Sequence, residues 1–210
     1  MVGNQGRGAI RALVASLNAL DRAEFEARYR QALAQGAAPH ALLTPVFDAL
    51  GKAWDEGQIS LAQLYLAGRW TEGLLDELPP VEAPARVGLC VLEDHHKLGA
   101  RLVEQALRGA GLAVHPMGVV TVDEAVEQVL SHRLQVLLVS ALMLRAALRV
   151  RALRDALEHR APGVSLFVGG APFRSDPRLV GEVGADGTAD TAPGAVALVQ
   201  RALAHGRAPR

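Results

Sequence analysis

The sequence predicts an α/β protein in two parts, an N-terminal four-helix bundle followed by a doubly wound parallel-sheet domain. Three observations carry that expectation. Apolar residues in the first 78 positions recur only at helical spacings of three and four. Residues 78–84 then hold three prolines in seven positions, a composition that cannot continue a helix. From residue 86 onward, short β-type runs alternate with longer helical ones, the pattern of a parallel sheet covered on both faces. The expected divisions are therefore a helical domain over 1–78, a linker over 79–85 and a sheet domain over 86–210.

The elements follow in order. Ile10, Leu13, Val14, Leu17 and Leu20 mark one helix, and Phe25, Tyr29 and Leu33 a second, with Asp21 and Glu24 as a helix start between them. A third runs from about His40 through Val46, Phe47, Leu50 and Trp54 and stops at Gly57. Ser60 and Gln63 form a capping-box pattern opening a fourth, through Leu64, Tyr65 and Leu75. Beyond the linker, strands are expected at 86–92, 112–117, 134–139 and 164–168, with a weak fifth near 186–188. Helices are expected at 99–111, after a Thr121/Glu124 cap, near 146–159, at 179–183 and at 193–204.

Composition limits the function classes. Twenty-two basic residues balance 22 acidic ones, which argues against a broad electrostatic grip on nucleic acid or an anionic membrane. The cluster Arg145, Arg149, Arg151 and Arg154 reads as a solvated helix face. Apolar runs are too short to cross a bilayer, and the N-terminus lacks the apolar core of a secretory signal. The single cysteine, Cys90, suits a reducing, cytoplasmic setting and reads as a buried thiol.

In a doubly wound sheet, ligands sit beyond the carboxyl ends of the strands. The loop after the first strand is Glu93-Asp94-His95-His96-Lys97-Leu98-Gly99. A dinucleotide site would need a glycine-rich turn there, and here the turn is acidic and imidazole-rich. A flavin phosphate would want hydroxyls and glycines, a phosphoacceptor domain a carboxylate where Ser140 stands, and no Walker-type lysine motif occurs. Zinc would need further Cys or His clusters beside His95 and His96. What remains is a histidine next to an acid at a ligand-binding edge, with small residues on two neighbouring loops.

The spacing Asp94-x-His96-x-x-Gly99, then Ser140-x-Leu142, then Gly169-Gly170 resembles the cobalamin-binding motif. Forty residues separate Gly99 from Ser140 and 26 separate Leu142 from Gly169. The stretch from Gly51 to Leu61 is similar to the turn in the helical cap domain of the small corrinoid proteins of methyltransferase systems. The resemblance implies a helical cap over a Rossmann-like cobalamin-binding domain. It also implies the roles of individual residues. His96 would replace the cofactor's own base as lower ligand to cobalt, and Asp94 would hold the other ring nitrogen. Gly99, Gly169 and Gly170 would make room for the displaced nucleotide tail, and Ser140 would supply a hydroxyl. His95 would face the corrin edge or solvent. Thr188 stands where relatives often have tyrosine. Trp54, Leu61, Leu64 and Tyr65 would form a lid over the upper face, with the proline-rich linker as a hinge.

The implied function is a non-catalytic corrinoid subunit, carrying a methyl group on cobalt between cognate methyltransferases, as methylcobalamin. No direct nucleic-acid or membrane partner is expected, and a homodimer is left open. The alternative is a stand-alone, light-responsive sensor binding adenosylcobalamin, which rests on Trp54. Light sensors of this type carry Glu-His where this chain has Leu64-Tyr65. Cobalamin storage or delivery is a third reading. Without a ligand, Phe47, Trp54 and Tyr65 would be ordinary core, and the bundle a dimerisation module.

Overall fold

The computed structural model describes residues 4–76 and 84–205. It divides into two compact units, Met1–Pro79 and Pro80–Arg210. The linker expected at 79–85 lies, apart from its last two residues, outside the described residues.

The first unit contains α1 (Asn4–Asn18), α2 (Arg22–Ala34), α3 (Pro39–Asp55) and α4 (Leu61–Asp76). Helix α1 packs against the other three, and α3 against α4. Their shared interior includes Leu13, Leu17, Phe25, Tyr29, Leu43, Val46 and Leu50, each at most 2% exposed, so most of the periodic residues form the core, while Leu20, Trp54 and Tyr65 are exposed. The Asp21 carboxylate accepts the Glu24 amide at 2.9 Å and caps α2. Ser60 and Gln63 cap α4 reciprocally. The Ser60 amide donates to Gln63 Oε1 at 2.9 Å, and the Gln63 amide to Ser60 Oγ at 3.3 Å. Two amides without intrahelical partners are thereby satisfied.

The second unit is a five-stranded parallel sheet in the order β2-β1-β3-β4-β5. Its strands are β1 (Val87–Leu92), β2 (Val114–Val120), β3 (Val136–Ser140), β4 (Ser165–Gly169) and β5 (Gly187–Thr188). The connecting helices are α5 (Leu98–Gly109), α6 (Val122–Ser131), α7 (Leu144–Arg160), α8 (Ala171–Ser175) and α9 (Leu179–Glu182), with α10 (Ala192–His205) last. Alternation along the strands separates two cores. Val87, Leu89 and Val91 join Leu138 and Phe167 beneath α5 and α10. Cys90 and Leu92 join Leu137, Val139 and Leu166 on the face covered by α6 and α7. Burial pushes the Cys90 thiol up to about 12, so it stays protonated at neutral pH. Thr121 and Glu124 form the expected capping box at the start of α6.

Several features depart from the sequence expectations, among them Leu20, which lies beyond the end of α1 with φ +56°. The short α8 was not anticipated. Arg154 does not lie on a solvated face: it is 1% exposed and donates to the Gly184 carbonyl at 2.8 Å and to Asp186 Oδ2 at 2.5 Å. Asp186 Oδ2 also accepts the Leu166 amide at 2.8 Å, so the buried guanidinium ties α7 to the turn before β5. Among the described residues, no helix is long and apolar enough to cross a membrane.

Candidate functional site

Strand order reverses between β1 and β3, so the connections leaving these neighbours diverge and open a crevice at their carboxyl ends. The register keeps the strand ends level, with Val91 opposite Ser140 and Ser140 opposite Gly169. The loops after β1, β3 and β4 therefore meet at one edge.

The first of these loops begins with a backbone turn. Glu93 adopts a left-handed conformation, φ +49°, at a cost of about 1 kcal/mol for a residue with a Cβ. Its amide donates to the Val120 carbonyl at 3.0 Å. Its carboxylate receives Arg149 of α7 through Nε and Nη2, both at 3.0 Å.

The turn sends the next side chain inward. Asp94 is 6% exposed. Its Oδ1 accepts the His95 amide at 2.6 Å and the His96 amide at 3.2 Å, and lies 2.6 Å from His96 Nδ1. Its Oδ2 accepts the amides of Leu142 and Met143, at 3.4 and 3.3 Å, from the loop after β3. Burial alone pushes the carboxyl up. The His96 ring and the amides of Met143, His96 and His95 together outweigh it and hold Asp94 below the usual carboxylate range. An ionised carboxylate only accepts, so this bond requires the proton on Nδ1, and in the neutral ring Nε2 then holds the lone pair. The His96 side chain is 54% exposed. A buried acid thus orients a solvent-accessible imidazole as a nitrogen donor.

Small residues line the adjoining loops. A Cβ on Gly99 would come within 3.1 Å of Ser140 Oγ, and one on Gly169 within 3.1 Å of the Ala189 carbonyl. Gly170 has φ +116°, and a Cβ there would lie 1.9 Å from the Ala141 carbonyl oxygen. Only glycine is compatible with that approach. Thr188 Oγ donates to the Val168 carbonyl at 2.9 Å, which secures β5 beside β4. Leu142 and Met143 present exposed apolar side chains, 47% and 54% accessible, next to the Asp94 pair.

The sequence-predicted residues therefore fall into two sets. Asp94, His96 and Leu142 meet through hydrogen bonds. Ser140 stands beside Gly99, and Gly169, Gly170 and Thr188 lie on the neighbouring strand ends. His95 contributes its amide, and its ring is exposed. Trp54 and Tyr65, 46% and 66% exposed, and half-buried Leu64 belong to the first unit. The side chain of Leu61 lies outside the described residues. Sequence reasoning missed the Met143 amide and the Glu93–Arg149 pair. The amide has no residue signature, and the pair spans 56 positions.

Among the described residues, no group of three or more His, Cys, Asp or Glu is placed to hold a metal ion. A metal bringing most of its own ligands, and needing one imidazole, fits the donor set. Comparison with known proteins decides the family. A family model described as B12 binding domain matches residues 85–198, and a second model with the same description matches 9–78. The chain belongs to the B12-binding domain family. It is similar to monomethylamine corrinoid protein 1 of Methanosarcina acetivorans, with 30% identity over 182 residues, 78% of this chain and 83% of the relative. The corresponding protein of Methanosarcina barkeri is 32% identical over 157 residues, covering 68% and 71%. The solved structure of the Methanosarcina barkeri monomethylamine corrinoid protein superposes with a TM-score of 0.73 at 25% identity, covering 90% of this chain and 95% of that one. The methanol:cobalamin methyltransferase complex of the same organism shares the fold, with a TM-score of 0.52 at 18% identity over 94% and 80%. Within the B12-binding domain family, the chain is a corrinoid protein of the methyltransferase-system type.

Proposed function

We propose that this chain is a carrier subunit that holds cobalamin with the cofactor's own base displaced and His96 as lower ligand to cobalt. One observation carries the proposal: the buried Asp94 carboxylate lies 2.6 Å from Nδ1 of a half-exposed His96, and a neutral ring held in this way offers Nε2 to a metal at the ligand-binding edge. Bound cobalamin supplies the metal that takes up and releases a methyl group. The chain's own residues orient and exclude. Asp94 fixes the imidazole tautomer and increases its basicity. Gly99 and Gly169, lacking side chains, would let the nucleotide tail pass close to the backbone. Trp54, Leu61, Leu64 and Tyr65 would serve as the lid that keeps water from the upper face of the cofactor.

Partners are the methyltransferases that load and unload the carrier. The relatives' names make a methylated amine the first methyl donor to test. The division of labour assigns residues 1–78 to the lid and 86–210 to cofactor binding. The setting is the cytoplasm.

Reconstitution tests the reading. Titrating the protein with hydroxocobalamin should give a coloured complex that survives gel filtration, and His96→Ala should weaken it at least about tenfold, consistent with loss of one metal ligand. After reduction of the bound cofactor to cobalt(I) with titanium(III) citrate, added methyltransferase and methylated amine should give methylcobalamin, with the demethylated amine as leaving group. Equal affinity in wild type and His96→Ala would contradict the assignment.

A further inference from the structure

We propose that Arg149 is a positioning residue for His96, acting through Glu93 as a clamp on the loop between β1 and α5. Only its consequence for the cofactor rests on the reading of His96 as lower ligand; the clamp is a property of the loop.

Glu93 is the hinge of that loop. Its backbone sits in the left-handed region, where a residue with a Cβ persists only when its surroundings hold it. Three bonds do so: the Val120 carbonyl takes its amide, and the Arg149 fork takes both carboxylate oxygens. Glu93 directly precedes Asp94. A change of its φ and ψ would swing the Asp94 carboxylate away from the amides of His95, His96, Leu142 and Met143, and His96 Nδ1 would lose its acceptor.

The placement of Arg149 reinforces the argument. It lies on α7, the helix that follows the Leu142–Met143 loop. The fork therefore joins the two chain segments that Asp94 joins through Oδ2. Two parallel ties fix both the distance and the direction of the β1 loop. A guanidinium with paired donors sets direction in a way that a single ammonium does not. The pair is half-exposed, so its contribution to global stability is small. Its effect falls on the conformation of one strained turn.

Amide hydrogen exchange on the cofactor-free protein tests this without reference to any ligand. Arg149→Met should speed exchange at the His95 and His96 amides by about fivefold, the ceiling for an exposed ion pair, and leave Cys90 and Val91 unchanged. Arg149→Lys should fall between. Adding Glu93→Gly to Arg149→Met should restore slow exchange, because glycine adopts the left-handed turn without a clamp. After loading with hydroxocobalamin and reduction to cobalt(II), Arg149→Met should show a larger histidine-off fraction by paramagnetic resonance, and the glycine double variant should recover. Unchanged exchange at His95 and His96, an equal rise along β1, or no rescue by glycine would overturn the clamp. Should the exchange pattern hold while wild type binds cobalamin without histidine ligation, the clamp stands and the ligand assignment falls.

Discussion

Asp94 and His96 form a pair in which one carboxylate oxygen lies 2.6 Å from the ring Nδ1, while the other oxygen takes backbone amides from the loop after β3. A single buried acid thus fixes an imidazole and joins two strand-end loops. The same bonds that keep it ionised set the direction of the free ring nitrogen.

Asp94→Asn tests that link through stability. The amide would place a donor against amide donors, and the expected loss at neutral pH is about 2 kcal/mol in urea unfolding. Folded Asp94 titrates below its ordinary value, so its stabilisation is complete above roughly pH 4. It is lost as pH falls through the lowered folded value. The gap between wild type and variant should therefore narrow in acid. A gap that widens would contradict the account.

The glycines separate fold from ligand. Gly170→Ala forces a Cβ onto the Ala141 carbonyl in a left-handed conformation and should destabilise the protein by about 3 kcal/mol. Gly99 opens α5, where alanine is the better helix former, and its neighbour is only the Ser140 hydroxyl. Gly99→Ala should therefore leave thermal unfolding nearly unchanged while weakening cobalamin binding. Normal binding by Gly99→Ala would place the nucleotide tail elsewhere.

Trp54 tests the lid. It is 46% exposed, so Trp54→Ala should change stability by less than about 1 kcal/mol. Reduced, cobalamin-loaded protein should nonetheless reoxidise in air several-fold faster than wild type. Identical rates would remove Trp54 from the lid.

Cys90 should be inert. Its thiol is buried and pushed up to about 12, so iodoacetamide should label it only under denaturing conditions. Rapid labelling of the native protein at neutral pH would show that β1 opens.

Much of this organisation is legible in the sequence because it is periodic. Leu13, Leu17, Phe25 and Tyr29 repeat at helical spacing and are buried where that spacing puts them. Asp21, Ser60 and Thr121 are local capping signals, and each caps the expected helix. The second strand was expected at 112–117 but forms at Val114–Val120. Its pairing with β1 shifts between Leu89 and Cys90, where Gly118 has φ +73°, so its alternation is broken. Helix α8 is five residues long and too short to show a period. Charge is normally solvated, so the sequence alone places Arg154 on an exposed face; its burial depends on Asp186, 32 positions away. The motif Asp94-x-His96 was visible, but the amides that complete its acceptor shell were not, since any residue can supply one.

Paramagnetic resonance of the cobalt(II) state, with hydroxocobalamin loaded onto protein grown on nitrogen-15 histidine and then reduced, tests the central claim most directly. The account predicts splitting by one axial nitrogen that changes with the isotope, vanishes in His96→Ala and persists in His95→Ala. Splitting that ignores the label, as from the cofactor's own base, or a protein that takes up no cobalamin, would contradict it.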